Sequence, residues 1–393
     1  MSNLARLLLL CFTQYCFATF IEPEVYMNTA QLISSKGYPV EEHDVTTKDG
    51  YILNVQRIPY GKTTNPLGAN RPVILLQHGL LSSSACWVEN LANNSLGFML
   101  ADAGYDVWLG NSRGNTYGRR HVRLSPKSSE FWRFSWDEMA KYDLPATVDF
   151  ILSSTGASQI FYVGHSQGCE IAFSELSQNR DLASKIKMFV ALAPAVYLGE
   201  VTSPLRLVMP LIKSSRFLLD VFGTGEFLPT SGILSTISGA VCNIPGVPSA
   251  ICDNILFAIA GYDEKQLNSS RVPVYVGQHP AGTSTQNIIH YAQSIQDKKF
   301  QKYDYGMLGN LVRYSQTHPP EIHPENVNVP VLLYSGTQDW LVTPTDVTKL
   351  VSKIPNLVKH KVIPEWQHLD FIWAMNAPDV CYNDMISMLN ARV

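Results

Sequence analysis

Short runs of aliphatic and β-branched residues recur through the first half of the chain, spaced widely enough for a helix between them. VILLQHG ends at Gly79, YDVWLGN at Asn111, IFYVGHS at Ser166 and MFVALAP at Pro194. Such runs separated by helical stretches predict βαβ units on a mainly parallel sheet, because a parallel neighbour requires a crossover long enough for a helix. Between the second and third runs, FSWDEMAKYDLPATVDFIL spaces its apolar residues as an amphipathic helix does and is expected to lie on that sheet. The rhythm breaks from about Val201 to Glu325, where RFLLDVF, GILSTISGAV and ICDNILFAIAG read as helical segments punctuated by Gly and Pro. Strand signals return in VPVLLYSG before Asp339 and in HKVIPEW before His368. An excursion and return of this kind predicts a core in two parts, residues 19–200 and 326–393, carrying an inserted, mainly helical cap and lid over residues 201–325.

A chain of 393 residues exceeds the size at which one core usually stops growing, which fits a large domain with an insertion. Apolar residues make up 46% and charged residues 16%, leaving no room for long disordered tracts. The 30 basic and 33 acidic side chains are interspersed, so nothing attracts nucleic acid or an anionic membrane by field alone. Arg6, the apolar run Leu7 to Phe12, and Cys16 and Ala18 at small-residue positions read as an export signal over residues 1–18, cleaved after Ala18. No later stretch has the roughly 18 uninterrupted apolar residues of a membrane span.

The densest chemical signal is Gly164-His165-Ser166-Gln167-Gly168, preceded by the strand IFYV and followed by CEIAFSEL, which can open a helix. This is the context of a nucleophile elbow. The turn is too tight for side chains at Gly164 and Gly168, and it forces the serine hydroxyl out at the top of the sheet. The helix behind it aims amides at the site, where negative charge would develop. A serine hydroxyl needs a base, and the base needs a carboxylate to fix its tautomer. Asp339 in the turn GTQDW and His368 in EWQHLDF both follow late strands, in the order Ser, acid, His of an α/β-hydrolase fold. Asp370 follows His368 and reads as a helix-start residue. The oxyanion donors are expected to be the backbone N–H of Gln167 and that of Leu80, in the loop QHGLLSSS. His78, in that loop, reads as a shaping residue and not as a second base. No His or Cys cluster has metal-ligand spacing, so no metal is expected.

Export changes the reading of the cysteines. Cys86, Cys169, Cys242, Cys252 and Cys381 would remain after signal removal. Cys242 and Cys252, close in sequence, are the first candidates for a disulfide, the alternative being that all five are small buried hydrophobes. Asn93 with Ser95 and Asn268 with Ser270 form glycosylation sequons, meaningful in an exported chain.

Over nearly its whole mature length the chain resembles the acid lipase family of α/β-hydrolases. The matching segments are GYPVEEHDVTTKDGYILNVQRIP, HGLLSSS, FSWDEMAKYDLPATVDFIL, YVGHSQG and HLDFIWAMNAPDVCYND. The resemblance implies hydrolysis of triacylglycerols or sterol esters at a lipid interface without a cofactor, in a lysosomal or extracellular setting. It places the family's catalytic serine, aspartate and histidine on Ser166, Asp339 and His368, its oxyanion donors on Leu80 and Gln167, and a cap disulfide on Cys242 and Cys252. The chain departs from the family around Gly239 to Ser249, at Cys169 in place of a hydroxyl residue, and at Ala260 in place of a cap cysteine. The competing expectations are a carboxylesterase for small soluble esters, indifferent to an emulsified interface, and a lipid-binding protein that has lost catalysis.

Overall fold

The computed structural model describes residues 22–62, 71–204, 206, 225–228, 261, 263 and 265–393. The expected export signal, RFLLDVF, GILSTISGAV and the pair Cys242 and Cys252 lie outside the described residues. In chain order the strands are β1 (Glu41–Thr46), β2 (Tyr51–Ile58), β3 (Val73–Gln77), β4 (Asp106–Leu109), β5 (Arg120–His121), β6 (Ile160–His165), β7 (Ile186–Leu192), β8 (Glu226–Phe227), β9 (Thr283–Ser284), β10 (Val331–Gly336) and β11 (Leu357–Ile363). The main sheet runs β1-β2-β4-β3-β6-β7-β10-β11, with β5 beside β2. Every predicted run is a strand of it, and from β4 to β11 all neighbours are parallel.

The central strands β3 and β6 are buried at every position, as continuous apolar runs must be when both faces are covered. Alternate residues feed two cores. Ile74, Leu76, Val163, Val190 and Leu332 enter one, and Leu75, Tyr162, Phe189, Ala191 and Leu333 the other.

Two departures from the periodicity are instructive. The antiparallel pair β1 and β2 is not marked by an apolar run, because β1 is EEHDVT and only Val45 is buried in it. The predicted amphipathic helix is continuous but locally widened. Ser135 and Glu138 form a capping box, Leu144 N–H bonds back five residues to Met139 O, and helix α1 (Leu144–Thr155) follows. Pro145 has no N–H to give to a regular ladder, and the widened turn lies immediately before it. Gly156, at φ 73°, ends the helix in the left-handed conformation that glycine adopts freely.

Helix α2 (Gln167–Leu176) follows β6 directly. Between β7 and β10 the described chain leaves the sheet as the short antiparallel ribbon β8–β9 and helices α3 (Val272–Gln278), α4 (Thr285–Asp297) and α5 (Gly306–Tyr314). Among the described residues no helix is long and apolar enough to cross a membrane.

Candidate active site

Ser166 occupies the turn from β6 into α2 at φ 53°, ψ −115°, a strained conformation for a residue with a side chain. Both flanking glycines are sterically required. A Cβ on Gly164 would stand 2.7 Å from the backbone of Cys169 and Gly168, and one on Gly168 would stand 2.4 Å from Gln77 O at the end of β3. The helix that begins after Ser166 therefore presses against the neighbouring strand, which a side chain would wedge apart.

The two strand ends downstream converge on this serine. Asp339 lies beyond β10, where its Oδ1 accepts the amides of Leu341 and Val342 at 2.9 and 2.8 Å. These bonds fix the carboxylate so that its Oδ2 meets His368 Nδ1 at 2.8 Å. His368 Nε2 in turn lies 2.8 Å from Ser166 Oγ. His368 and Asp339 side chains are 3% and 0% exposed, so the carboxylate acts on the imidazole through little intervening water. His165, next to the serine, donates from Nε2 to the carbonyl of His368 at 3.0 Å and ties the loop that carries His368 to the turn at Ser166. Burial and the nearby His368 hold His165 neutral, its pKa lowered to about 3.

Leu80 and Gln167 flank the serine from the two predicted positions. Among the described residues neither amide has an acceptor within the protein. The side chain of Gln167 is drawn away from the site: its Oε1 accepts from Asn287 Nδ2 at 2.7 Å and from Tyr291 Oη at 3.2 Å. His78 is no base. Its Nδ1 donates to Gly79 O at 2.8 Å, its Nε2 accepts from Ser112 N and Asn115 Nδ2, each at 3.1 Å, and burial lowers its pKa to about 4. Asp370 begins a short helix and caps Gln367 N–H, and burial raises its pKa to about 7.

A cavity opens over Ser166 and His368. Its walls are apolar, with Leu80, Leu198, Phe227, Ile288, Ile295 and Ile372 among them. His279, which carries no local signal in the sequence, also lines the cavity, and its Nε2 lies 3.1 Å from both oxygens of the fully buried Glu89. Nor did sequence reasoning single out Glu170, one turn into α2, whose carboxyl accepts from Tyr291 Oη at 2.5 Å and is pushed well above the usual carboxylate range by burial. Carboxylates set in the mostly apolar stretch CEIAFSEL, Glu170 and Glu175, were the available signal for it.

Cys86, Cys169 and Cys381 are buried free thiols. Cys169 donates to Gly164 O at 3.0 Å beneath the elbow, and burial pushes its thiol well above the usual range. Asn93 is exposed, and Asn268 is half-exposed, accepting from Ser270 N–H at 3.2 Å. Among the described residues no group of His, Cys, Asp and Glu is arranged to hold a metal.

A mainly parallel sheet with a serine on a strained strand-to-helix turn, joined to histidine and aspartate from later strand ends, defines an α/β-hydrolase. The model for the alpha/beta hydrolase fold matches residues 72–374, and that for a partial alpha/beta-hydrolase lipase region matches residues 29–91. The chain is 50% identical over 374 residues to gastric triacylglycerol lipase of Homo sapiens, covering 94% of this chain and 92% of that one. It is 48% identical over 376 residues to the human lysosomal acid lipase/cholesteryl ester hydrolase, with the same coverage of 94% and 92%. In fold it is similar to a soluble variant of monoglyceride lipase from Saccharomyces cerevisiae, at TM-score 0.55 and 16% identity, over 94% of this chain and 98% of that one. The chain belongs to the acid lipase family of α/β-hydrolases.

Proposed function

We propose that this protein hydrolyses carboxylic esters of neutral lipids, triacylglycerols or sterol esters, through an acyl-enzyme on Ser166. The unbroken chain of hydrogen bonds from Ser166 Oγ through His368 to Asp339 carries this reading. Ser166 Oγ attacks the ester carbonyl while His368 Nε2 takes its proton, and Asp339 holds the other ring nitrogen and stabilises the imidazolium. The amides of Leu80 and Gln167 receive the oxyanion, aided by the N-terminus of α2. As the tetrahedral intermediate collapses, His368 returns the proton to the departing alcohol. Water, deprotonated by the same histidine, then releases the fatty acid and regenerates the serine hydroxyl.

The apolar walls of the cavity support a long acyl chain or a sterol as the group enclosed, since burying such a group removes it from water without stranding polar atoms. The names of the relatives, triacylglycerol lipase and cholesteryl ester hydrolase, support the same substrates. Residues 201–325 are proposed to form the cap over the cavity, with a disulfide between Cys242 and Cys252 and glycans on Asn93 and Asn268, in a protein that follows the secretory pathway to the lysosome or out of the cell. Release of fatty acid from emulsified long-chain triacylglycerol and cholesteryl ester tests the reading. Activity on either that disappears in Ser166→Ala supports it, and activity that survives in that variant overturns the assignment of the nucleophile.

A further inference from the structure

Helix α5, of sequence GMLGNLVRY, is nine residues long and Asn310 is its buried residue. Met307, Leu308, Leu311 and Val312 fall on one face at helical spacing and are 66, 77, 43 and 86% exposed. Isolated exposed aliphatic residues are ordinary, but four on one helix make an uncovered apolar patch. The helix is firmly seated from its other side. Asn310 Nδ2 donates to Asp304 Oδ1 at 2.7 Å and to Thr317 O at 3.1 Å, and Tyr314 Oη donates to Tyr303 O at 3.0 Å.

A polar cleft adjoins this patch, lined by Arg313 and Tyr314 of α5 and by Lys141, Arg180 and Lys302 from three other parts of the chain. The exposed charges among its lining residues are the cations Lys141, Arg180 and Arg313. Its carboxylates are buried or half-buried and already hold donors of the chain. Asp137 accepts from Tyr303 N at 2.8 Å, Glu138 from Ser135 N at 2.7 Å and Glu175 from Asn179 Nδ2 at 2.9 Å. The outward face is therefore apolar beside positive, although no basic run exists in the sequence.

We propose that α5 and this cleft form a docking surface for a phospholipid layer containing anionic lipid. The four aliphatic side chains enter the acyl boundary, and Lys141, Arg180 and Arg313 pair with headgroup phosphates, the arrangement by which amphipathic helices lie in an interface. A second copy of the chain is a poor occupant, because a two-fold contact would set the same cations against each other. The surface is coupled to the catalytic cavity through α4, which immediately precedes it. Ile288, Tyr291 and Ile295 of α4 line that cavity, while Gln293 on the same helix bonds Asp304 at the start of the α5 connection. The proposal extends the neutral-lipid reading but does not require turnover.

The test is co-sedimentation of the full chain carrying Ser166→Ala with vesicles of phosphatidylcholine, and of phosphatidylcholine mixed with phosphatidylglycerol. Binding to the mixed vesicles is expected, weakened about tenfold or more by Leu308→Asp with Val312→Asp, since two buried aliphatic side chains are lost from the layer. Lys141→Glu with Arg313→Glu should remove the preference for the mixed vesicles. In the background with Ser166 intact, Leu308→Asp with Val312→Asp should hydrolyse a water-soluble butyrate ester within about twofold of the parent, as distant surface changes do. Undiminished vesicle binding by either double variant overturns the proposal. So does a parent that binds neither vesicle, or a parent dimer in analytical ultracentrifugation that Leu308→Asp with Val312→Asp converts to monomer. Absent butyrate hydrolysis by the parent would instead count against the catalytic reading, leaving the vesicle result to decide the docking surface.

Discussion

His368 Nε2 lies 2.8 Å from Ser166 Oγ across a sequence separation of 202 residues. The contact exists because β6 and β11, with β7 and β10 between them, run parallel in one sheet, so the loops leaving their C-terminal ends open on the same edge. Parallel strands gather all their exits on one side, and ligands bind there.

If Asp339 orients the base, Asp339→Asn should lower kcat by about 10⁴-fold with little change in KM, because the amide stabilises the wrong tautomer and no imidazolium. Steady-state kinetics on a soluble ester reads this directly. Retention of full activity would remove Asp339 from the triad.

Gly168→Ala should damage stability and turnover together. The added methyl meets Gln77 O at 2.4 Å, between the elbow and the strand that leads to the Leu80 loop. Overpacking at such a site costs about 1–3 kcal/mol. Displacement of the oxyanion donors should take a further factor of about 10² from kcat. Urea unfolding and kcat, measured on the same preparation, check both.

Glu170→Gln should leave acid stability unchanged and raise stability at neutral pH. The folded protein raises the pKa of Glu170 well above its ordinary 4.5, chiefly through burial, while the unfolded chain does not. Below about pH 4.5 both states hold the proton, and its contribution is fully present. As pH rises, the unfolded state ionises first and the wild type loses stability, a slope the glutamine lacks. Melting temperatures of the two proteins should coincide near pH 4 and diverge toward pH 7 in favour of the variant. A constant difference across that range would show that Glu170 does not titrate in this way.

Glu89→Ala should be among the most damaging substitutions outside the triad. Glu89 is the acceptor shared by His279 Nε2 and Trp373 Nε1 in a wholly buried setting. Breaking a buried pair by removing one partner costs about 3–5 kcal/mol. Denaturant titration of wild type and variant measures that loss, and a change below 1 kcal/mol would mean the pair is not held in the folded state.

What could be read along the chain was whatever is local or periodic. Six apolar runs became the parallel strands, and the pentapeptide around Ser166, framed by strand and helix, became the strained turn. The hairpin β1–β2 escaped because it is covered on one face only, so its polar positions mask the strand. The place of Gln167 directly after Ser166 was legible, but its side chain's tether to Asn287 and Tyr291, residues more than a hundred positions away, was not. The pair His279 and Glu89 was hidden for the same reason, with 190 positions between its members.

The sequence by itself determined the class of sheet, the tight strand-to-helix turn at Ser166, and the succession of strand ends that carry Asp339 and His368, because these depend on period, turn sterics and chain order. Only the tertiary structure decided which distant side chains meet. It joined Glu89 to His279, Glu170 to Tyr291, and Lys141, Arg180 and Arg313 beside the bare face of α5. Hydrogen bonds and charge clusters of that kind carry no local signature, since their free energy arises from burial and proximity that exist only once the chain has packed.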